Sequence, residues 1–265
     1  MSDRPPSPAA PDLVAELLAA RRSGRSLPAF PAPVPATLAE AYAVQQRLTA
    51  ALAAPVLGWK VGRIPPALIA ALGAERVAGP VLRVAEIGDQ PGAASIFAGG
   101  AGAIEAEVML KLRVVPEGPV TGGDDGAAWI DEIRAGFEVA SSPAPDVHDH
   151  APYGIVADLG INNGLLLGPR LDPGDFAELV IETQIDGAMV GTGRAIDVLD
   201  GPWGSLDFLV NLHRRGVIRL EPGQWISAGA ITGVHPIAVG QTATARFGSA
   251  ARIACIAVAE TGFKP

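Results

Sequence analysis

Three carboxylates on apolar segments are the residues of this sequence best suited to chemistry. Glu105 and Glu107 alternate within the apolar run 104–110, and Glu138 lies in the apolar segment 136–139. A strand has a side-chain period of two, so Glu105 and Glu107 should share a face, about 7 Å apart. Like charges so close repel unless water screens them or a cation neutralises them. For the pair alone a solvated strand face is the alternative, but a third carboxylate favours a hard divalent ion such as Mg2+ or Mn2+.

Lys60 and the segment 158–164 are further candidates for a site. Lys60 lies in a short apolar run flanked by glycines, where an inward-facing lysine would need an anionic partner. A surface lysine at the end of a strand is the alternative. Asp158 and Asn162 lie between two apolar runs, a position typical of a turn, although both residue types can also orient a substrate or a lysine.

The segment 146–150 contains His148 and His150 between aspartates, a pattern that can bind zinc. Its polar composition and flanking prolines favour an exposed loop, which we expect to lie over a substrate pocket without binding a metal. The glycine-rich segments 99–102 and 191–193 do not match a dinucleotide or phosphate-binding pattern, because neither leads into a helix with the required residues.

Composition narrows the class of protein. Of the 265 residues, 49% are hydrophobic and 18% charged, which is typical of a globular chain, and the net charge of −8 makes nucleic acid and anionic membranes unfavourable partners. No apolar run reaches the length of about 18 residues that a transmembrane helix needs. The single cysteine, Cys255, lies in an apolar run and predicts a buried core residue. One cysteine permits no internal disulfide, so a cytoplasmic location is expected.

The pattern along the chain predicts three regions: a mobile N-terminus over residues 1–11, a helical lobe over 12–56 and a β-rich catalytic domain over 57–265. Asp12 is predicted to cap the first helix, and Thr37 with Glu40 forms a capping box before the second. Short apolar runs separated by Gly and Pro predict strands from residue 57 onward. Further helices are expected at 127–135 and 205–215, so the fold class is α+β.

Taken in order, these pieces resemble the fumarylacetoacetate hydrolase superfamily, specifically its branch of 2-keto-4-pentenoate and 2-oxohepta-3-ene-1,7-dioate hydratases. The resemblance runs from residue 12 over nearly the whole chain. The matching segments are 39–45, 58–62, 104–108, 137–139, 156–158 and 229–236.

The resemblance implies a mixed β-roll of the superfamily's catalytic type with a small helical N-terminal part, usually assembled as a homo-oligomer. It also implies that Glu105, Glu107 and Glu138 bind Mg2+ or Mn2+. Three features depart from the family pattern. Pro143 follows Ser142 where the family has arginine, Leu159 stands where asparagine is usual, and a His-Pro pair is missing before the helix at 205–215.

The function implied is a hydratase that adds water to a 2-hydroxydienoate or 2-oxo-enoic acid in aromatic-compound catabolism. Lys60 would hold the substrate carboxylate or shuttle a proton, and Asp158 with Asn162 would act at the other end of the pocket. Two alternatives share the fold: a decarboxylase of 2-oxo-enoic diacids of the 4-oxalocrotonate type, and a catalytically silent subunit that associates with a hydratase or decarboxylase partner chain.

Overall fold

A computed structural model describes residues 12–120, 128–172 and 176–264, so the predicted mobile segment 1–11 lies outside the described residues. The helices are α1 (Leu13–Ser23), α2 (Leu38–Leu52), α3 (Pro66–Leu72), α4 (Tyr153–Ala157) and α5 (Gly201–Arg214). Short 3-10 turns cover Val147–His150, Leu159–Ile161 and Ala195–Asp197.

The strands form most of the body between and after these helices. They are β1 (Gly58–Arg63), β2 (Arg76–Val81), β3 (Val84–Glu86), β4 (Gly92–Ile96), β5 (Ala101–Leu112), β6 (Ile130–Ser142), β7 (Asn162–Arg170), β8 (Val180–Ile185), β9 (Ala188–Arg194), β10 (Trp225–Ser227), β11 (His235–Pro236), β12 (Thr242–Phe247) and β13 (Ala251–Ala259).

Two mixed sheets are built from these strands. The first has the order β2-β1-β10-β5-β6-β7-β3, with β11 also paired to β5, and the second has the order β4-β13-β12-β8-β9. Pairs β1/β10, β3/β7 and β4/β13 are parallel, and the other pairs are antiparallel. The predicted α+β class is therefore confirmed.

The helix starts follow the predicted caps. The Asp12 carboxylate accepts a hydrogen bond from the Val14 amide at 3.1 Å. The Thr37 hydroxyl accepts one from the Glu40 amide at 3.1 Å, while the Glu40 carboxylate accepts from the Ala36 amide, one residue before the cap. The contacts to the Val14 and Glu40 amides satisfy donors that the first helical turn leaves without a partner.

Strand β5 is buried on both faces. Ile104, Ala106 and Val108 join a core cluster that includes Phe247 and Ile253 of the second sheet. The alternate residues, including both glutamates of β5, are also buried. A strand covered on both sides has no solvated face. The alternative that Glu105 and Glu107 lie on a solvated strand face is therefore wrong.

One prediction about an element is also wrong, and one strand was missed. In the segment expected to be helical at 127–135, residues 130–135 form the start of β6. Ile130 and Ile133 are spaced like a helical stripe, but pairing with β5 decides the conformation. Strand β2, which contains Gly79 and Pro80, was not predicted. Its position at a sheet edge explains why proline is tolerated there.

The N-terminal helices are joined to the β-rich body by buried polar contacts. Gln45 of α2 donates to the carbonyls of Ala78 and Val156 at 3.0 and 2.8 Å, and the Tyr42 hydroxyl accepts from the Ala78 amide.

The domain boundary between residues 56 and 57 stays a prediction. In the described ranges no helix combines the length and the apolar character needed to span a bilayer, and the cytoplasmic location also stays a prediction.

Candidate metal centre and adjoining cavity

Strand pairing brings the three glutamates together. Glu105 of β5 lies directly opposite Glu138 of β6 in the antiparallel register, and Glu107 follows two residues along β5 on the same face. One oxygen of each carboxylate lies within 4.8 Å of the other two. The exposed fractions are 5% for Glu105 and 0% for Glu107 and Glu138, so water cannot screen their repulsion.

In two of these carboxylates, Glu107 and Glu138, one oxygen accepts hydrogen bonds from the protein. Glu107 Oε2 accepts from the Ser227 hydroxyl and, at 2.9 Å, from the Gly229 amide. Glu138 Oε1 accepts from Asn162 Nδ2 at 3.0 Å. The second oxygens, Glu107 Oε1 and Glu138 Oε2, are buried and have no hydrogen-bond partner within the described part of the chain. Buried carboxylate oxygens without a donor fit a hard divalent cation.

The raised pKa values of the cluster also favour a bound divalent cation. Burial, reinforced by the charge of Glu138, raises the pKa of Glu105 to about 7, although the charge of Lys60 acts in the opposite direction. Burial and the charges of Glu138 and Glu105 raise the pKa of Glu107 well above its usual value. Without a cation the cluster therefore retains protons near neutral pH, and a divalent ion would displace them.

Lys60 is an inward-facing residue of β1, so the surface alternative is wrong. Its Nζ lies 3.3 Å from Glu138 Oε1, and its side chain is 5% exposed. Burial alone would lower the pKa of Lys60, but the charges of Glu138, Glu105 and Glu107 raise it above its ordinary value. A positive charge is therefore held beside the carboxylates in a site shielded from water.

Asn162 and Asp158 have different partners in the structure, and only Asn162 contacts the cluster. Asn162 contacts the cluster through Glu138. Asp158 is completely buried and forms an ion pair with Arg21 of α1, with Nε and Oδ1 2.6 Å apart. Burial raises the pKa of Asp158, while Arg21 and the Ser142 hydroxyl oppose that shift. Asp158 is not among the residues that line the cavity described next, so its catalytic role stays a prediction without a contact to support it.

Arg21 was not identified from the sequence as a residue of the site. Arg21 lies in the last turn of α1, which ends at Ser23 and is followed by Gly24 in the left-handed region at φ 69°. Leu13, Leu17 and Arg21 are spaced by four residues and are all buried. This extension of the apolar stripe is the signal that could have marked Arg21 as an inward-facing residue.

A cavity of about 430 Å³ adjoins the cluster, with Lys60 and Glu105 in its wall. This volume suits a small organic molecule. Most of the remaining wall is apolar, and the charged or titratable residues there are Arg63, Arg76, His148 and Asp197. Arg76 already donates to the Leu199 carbonyl and to the Asp200 carboxylate.

The segment 146–150 forms the 3-10 turn Val147–His150 beside this cavity. His148 is part of the cavity wall, and His150 packs against Phe30 with ring centroids 5.2 Å apart. Neither histidine belongs to the group of potential metal ligands found among the described residues, which consists of the three glutamates.

Replacing His148 and His150 together by alanine is therefore expected to leave Mn2+ affinity within about twofold of the parent, since neither ring contacts the cluster. Titration calorimetry measures this directly. Turnover and the Michaelis constants for substrates of different tail length should both change, because His148 is part of the cavity wall. Loss of a metal equivalent in the double variant would contradict this assignment and support the zinc alternative.

Comparison with known proteins gives a result at the level of fold. No family model and no curated protein matches the chain. Among solved structures, the chain is similar to 4-oxalocrotonate decarboxylase from Pseudomonas putida G7 in complex with calcium and acetate, with a TM-score of 0.75 and 23% identity over 93% of this chain and 96% of that one. It is also similar to fumarylpyruvate hydrolase from Pseudomonas aeruginosa in complex with Mn2+ and pyruvate, with a TM-score of 0.52 and 14% identity over 76% and 88% of the two chains.

A third similar structure is a fumarylacetoacetate hydrolase family protein from Yersinia pestis CO92, with a TM-score of 0.53 and 14% identity over 76% of this chain and 92% of that one. The chain has the fumarylacetoacetate hydrolase fold. The predicted fold is therefore confirmed. In this chain β5 and β6 carry the carboxylate cluster. Helix α1 contacts the body through Arg21 and Asp158, and α2 through Gln45 and the Ala78 carbonyl.

Proposed function

We propose that this protein is a divalent-metal-dependent lyase that acts on a 2-oxo-enoic acid of aromatic-compound catabolism, with hydration as the first candidate reaction. The observation that carries the proposal is the buried cluster of Glu105, Glu107 and Glu138 beside Lys60, open to a cavity of about 430 Å³. Carboxylate oxygens alone favour Mg2+ or Mn2+. The similar structures contain calcium, magnesium or Mn2+.

Each residue of the cluster has a distinct part in this proposal. The three glutamates would hold the cation, Ser227 and the Gly229 amide orient Glu107, and Asn162 orients Glu138. When bound, the cation would supply a Lewis acid for the carboxylate and 2-oxo oxygen of the substrate. Lys60 keeps a positive charge in the cavity wall beside the cluster, where it would stabilise the negative charge that develops as the 2-oxo acid enolises.

Hydration also needs an acid–base group near the distal alkene carbon, within hydrogen-bond reach of about 3 Å. Asp158 was expected to fill this position, but it is paired with Arg21 away from the cavity wall. His148 is in the wall and is the side chain we assign to proton transfer at that end. An imidazole is suited to this because its two ring nitrogens can donate and accept a proton.

Decarboxylation of a 2-oxo-enoic diacid is the second candidate. It is favoured by the similarity to 4-oxalocrotonate decarboxylase, which covers 93% of this chain against 76% for the hydrolase. The same decarboxylase is also known in complex with magnesium and adipate, a dicarboxylate. Arg63 in the cavity wall would give a second carboxylate a cationic partner.

The assembly state belongs to the proposal as well. Met189 and Val190 of the edge strand β9 are 50% and 40% exposed, and Val234 is 51% exposed. Exposed apolar side chains on an unpaired edge are consistent with self-association. A homo-oligomer, or pairing with a hydratase or decarboxylase chain as a silent subunit, stays a prediction.

A substrate panel tests the proposed function. With Mg2+ or Mn2+ present, the protein should add water to a 2-hydroxydienoate and should exchange solvent deuterium into the carbon next to the keto group. Release of CO2 from a 2-oxo-enoic diacid without hydration would assign the decarboxylase. Chelation of the metal should abolish either activity. A protein that binds Mn2+ but converts no substrate would favour the silent subunit.

A further inference from the structure

The turn between Asp158 and Asn162 has an unusual backbone. Leu159, Gly160 and Ile161 follow one another in the left-handed region, with φ of 60°, 65° and 55°. This conformation is disfavoured for residues with a side chain and most of all for a β-branched residue such as isoleucine. Contacts outside the turn must therefore maintain it.

The turn places two side chains at the candidate site. Ile161 is part of the cavity wall, and the next residue, Asn162, donates to Glu138 Oε1 at 3.0 Å. Gly160 packs so closely on β2 that an added Cβ would lie 2.8 Å from the Gly79 Cα. Gly79 in turn lies opposite Lys60 in the register of β1 and β2. A shift of the turn would therefore move groups at both the carboxylate and the lysine.

Arg21 of α1 binds both ends of this turn. Its Nε donates to Asp158 Oδ1 at 2.6 Å and its Nη2 to the Asp158 carbonyl at 3.1 Å, at the beginning of the turn. Its Nη1 donates to Asn163 Oδ1 at 3.4 Å, just beyond the end. Nη2 also donates to the Ser141 carbonyl at 3.4 Å, which links the turn to β6, the strand of Glu138. The guanidinium is 3% exposed and lies over the Phe97 ring.

We infer that Arg21 is a positioning residue for the carboxylate cluster. By holding the left-handed turn 159–161 at both ends, Arg21 keeps the side-chain amide of Asn162 in hydrogen-bond contact with Glu138. The inference rests on the proposed function only in requiring that the cluster binds a divalent cation. A planar guanidinium can donate at the same time to the carboxylate and the carbonyl of Asp158 and to the side-chain oxygen of Asn163. A lysine ammonium cannot do this with the same geometry.

A cycle of variants measured by Mn2+ titration tests this inference. Arg21→Met and Asn162→Ala should each weaken Mn2+ affinity on the order of tenfold, the usual effect of removing a group that orients a metal ligand. The double variant should be no weaker than about tenfold, because both changes act on the same contact with Glu138. Arg22→Met is the matched control: Arg22 is the next residue of α1 and joins the helix to the Ala51 carbonyl, without contact to the turn.

Hydrogen exchange separates positioning from simple stabilisation. The Ile161 amide is bonded to the Asp158 carbonyl at 2.8 Å, and the Gly164 amide to Asn162 Oδ1 at 3.1 Å. In Arg21→Met both amides should exchange faster while those of β12 and β13 keep the rates of the parent. If Arg21→Met does not fold, the same cycle is run with Arg21→Lys, which retains the charge and is expected to change affinity in the same direction.

The outcomes are distinct. Unchanged Mn2+ affinity in the Arg21 variant overturns the inference, and so does a double variant whose loss is the product of the single losses. A parent protein that binds no Mn2+ overturns the proposed metal site and, with it, this inference. A parent that binds Mn2+ but converts no substrate leaves the test of Arg21 intact.

Discussion

Glu105→Gln is expected to weaken Mn2+ binding on the order of 100-fold and to abolish measurable turnover. The substitution removes one charged ligand from a site whose donors are carboxylate oxygens, and ligand charge dominates the affinity for a hard cation. Titration calorimetry measures the affinity. Glu105 is preferable to Glu138 for this test because Glu138 is also the ion-pair partner of buried Lys60. Glu182→Gln, on a strand of the second sheet, is the matched control.

The stability of the metal-free protein provides an independent check. Glu105 has a pKa of about 7 in the folded chain against an ordinary value of 4.5. A carboxyl with a raised folded pKa stabilises the fold fully below pH 4.5 and loses that contribution as pH rises through 7, by on the order of 3 kcal/mol. Glu105→Gln should therefore show a smaller loss of stability between pH 5 and pH 8 than the parent. Undiminished Mn2+ binding in the variant would refute the assignment of the site.

Lys60→Met is expected to lower kcat on the order of 1000-fold while Mn2+ binding survives. Removing a preorganised charge from a buried site has an effect of this size on transition states that develop negative charge. The three glutamates remain, and loss of a neighbouring positive charge does not weaken their attraction for a cation. Steady-state kinetics at saturating Mn2+, together with calorimetry, separate the two effects.

The same variant should be less stable than the parent without metal. Breaking the buried Lys60–Glu138 pair leaves carboxylates uncompensated, at a cost of about 3 kcal/mol, and Mn2+ should restore much of the loss. Lys111→Met on β5 is the control, since Lys111 pairs with Glu132 at 4.0 Å at the partly exposed end of that strand. Equal turnover in Lys60→Met and the parent would remove Lys60 from the proposed mechanism.

Local chemistry in the sequence was sufficient to predict the fold class and the face that carries the carboxylates. A period of two is a property of any strand, so Glu105 and Glu107 had to share a face. The caps at Asp12 and Thr37 depend only on neighbouring amides, and both were predicted correctly. By contrast, the start of β6 looked helical, since its conformation depends on pairing with β5 and not on its own pattern.

The composition of the site beyond the glutamates was decided by tertiary structure. Glu105 faces Glu138 through the strand register, and Lys60 reaches the same point because β10, which pairs with both β1 and β5, places them in one sheet. Asp158 carried no sequence signal that distinguished a catalytic carboxylate from the partner of a buried arginine. Arg21 lies 137 residues away along the chain and meets it only when α1 packs on the body. Patterns over a few residues predict the local conformation and the face on which a side chain lies. The partner of a buried charge depends on which distant elements pack against it.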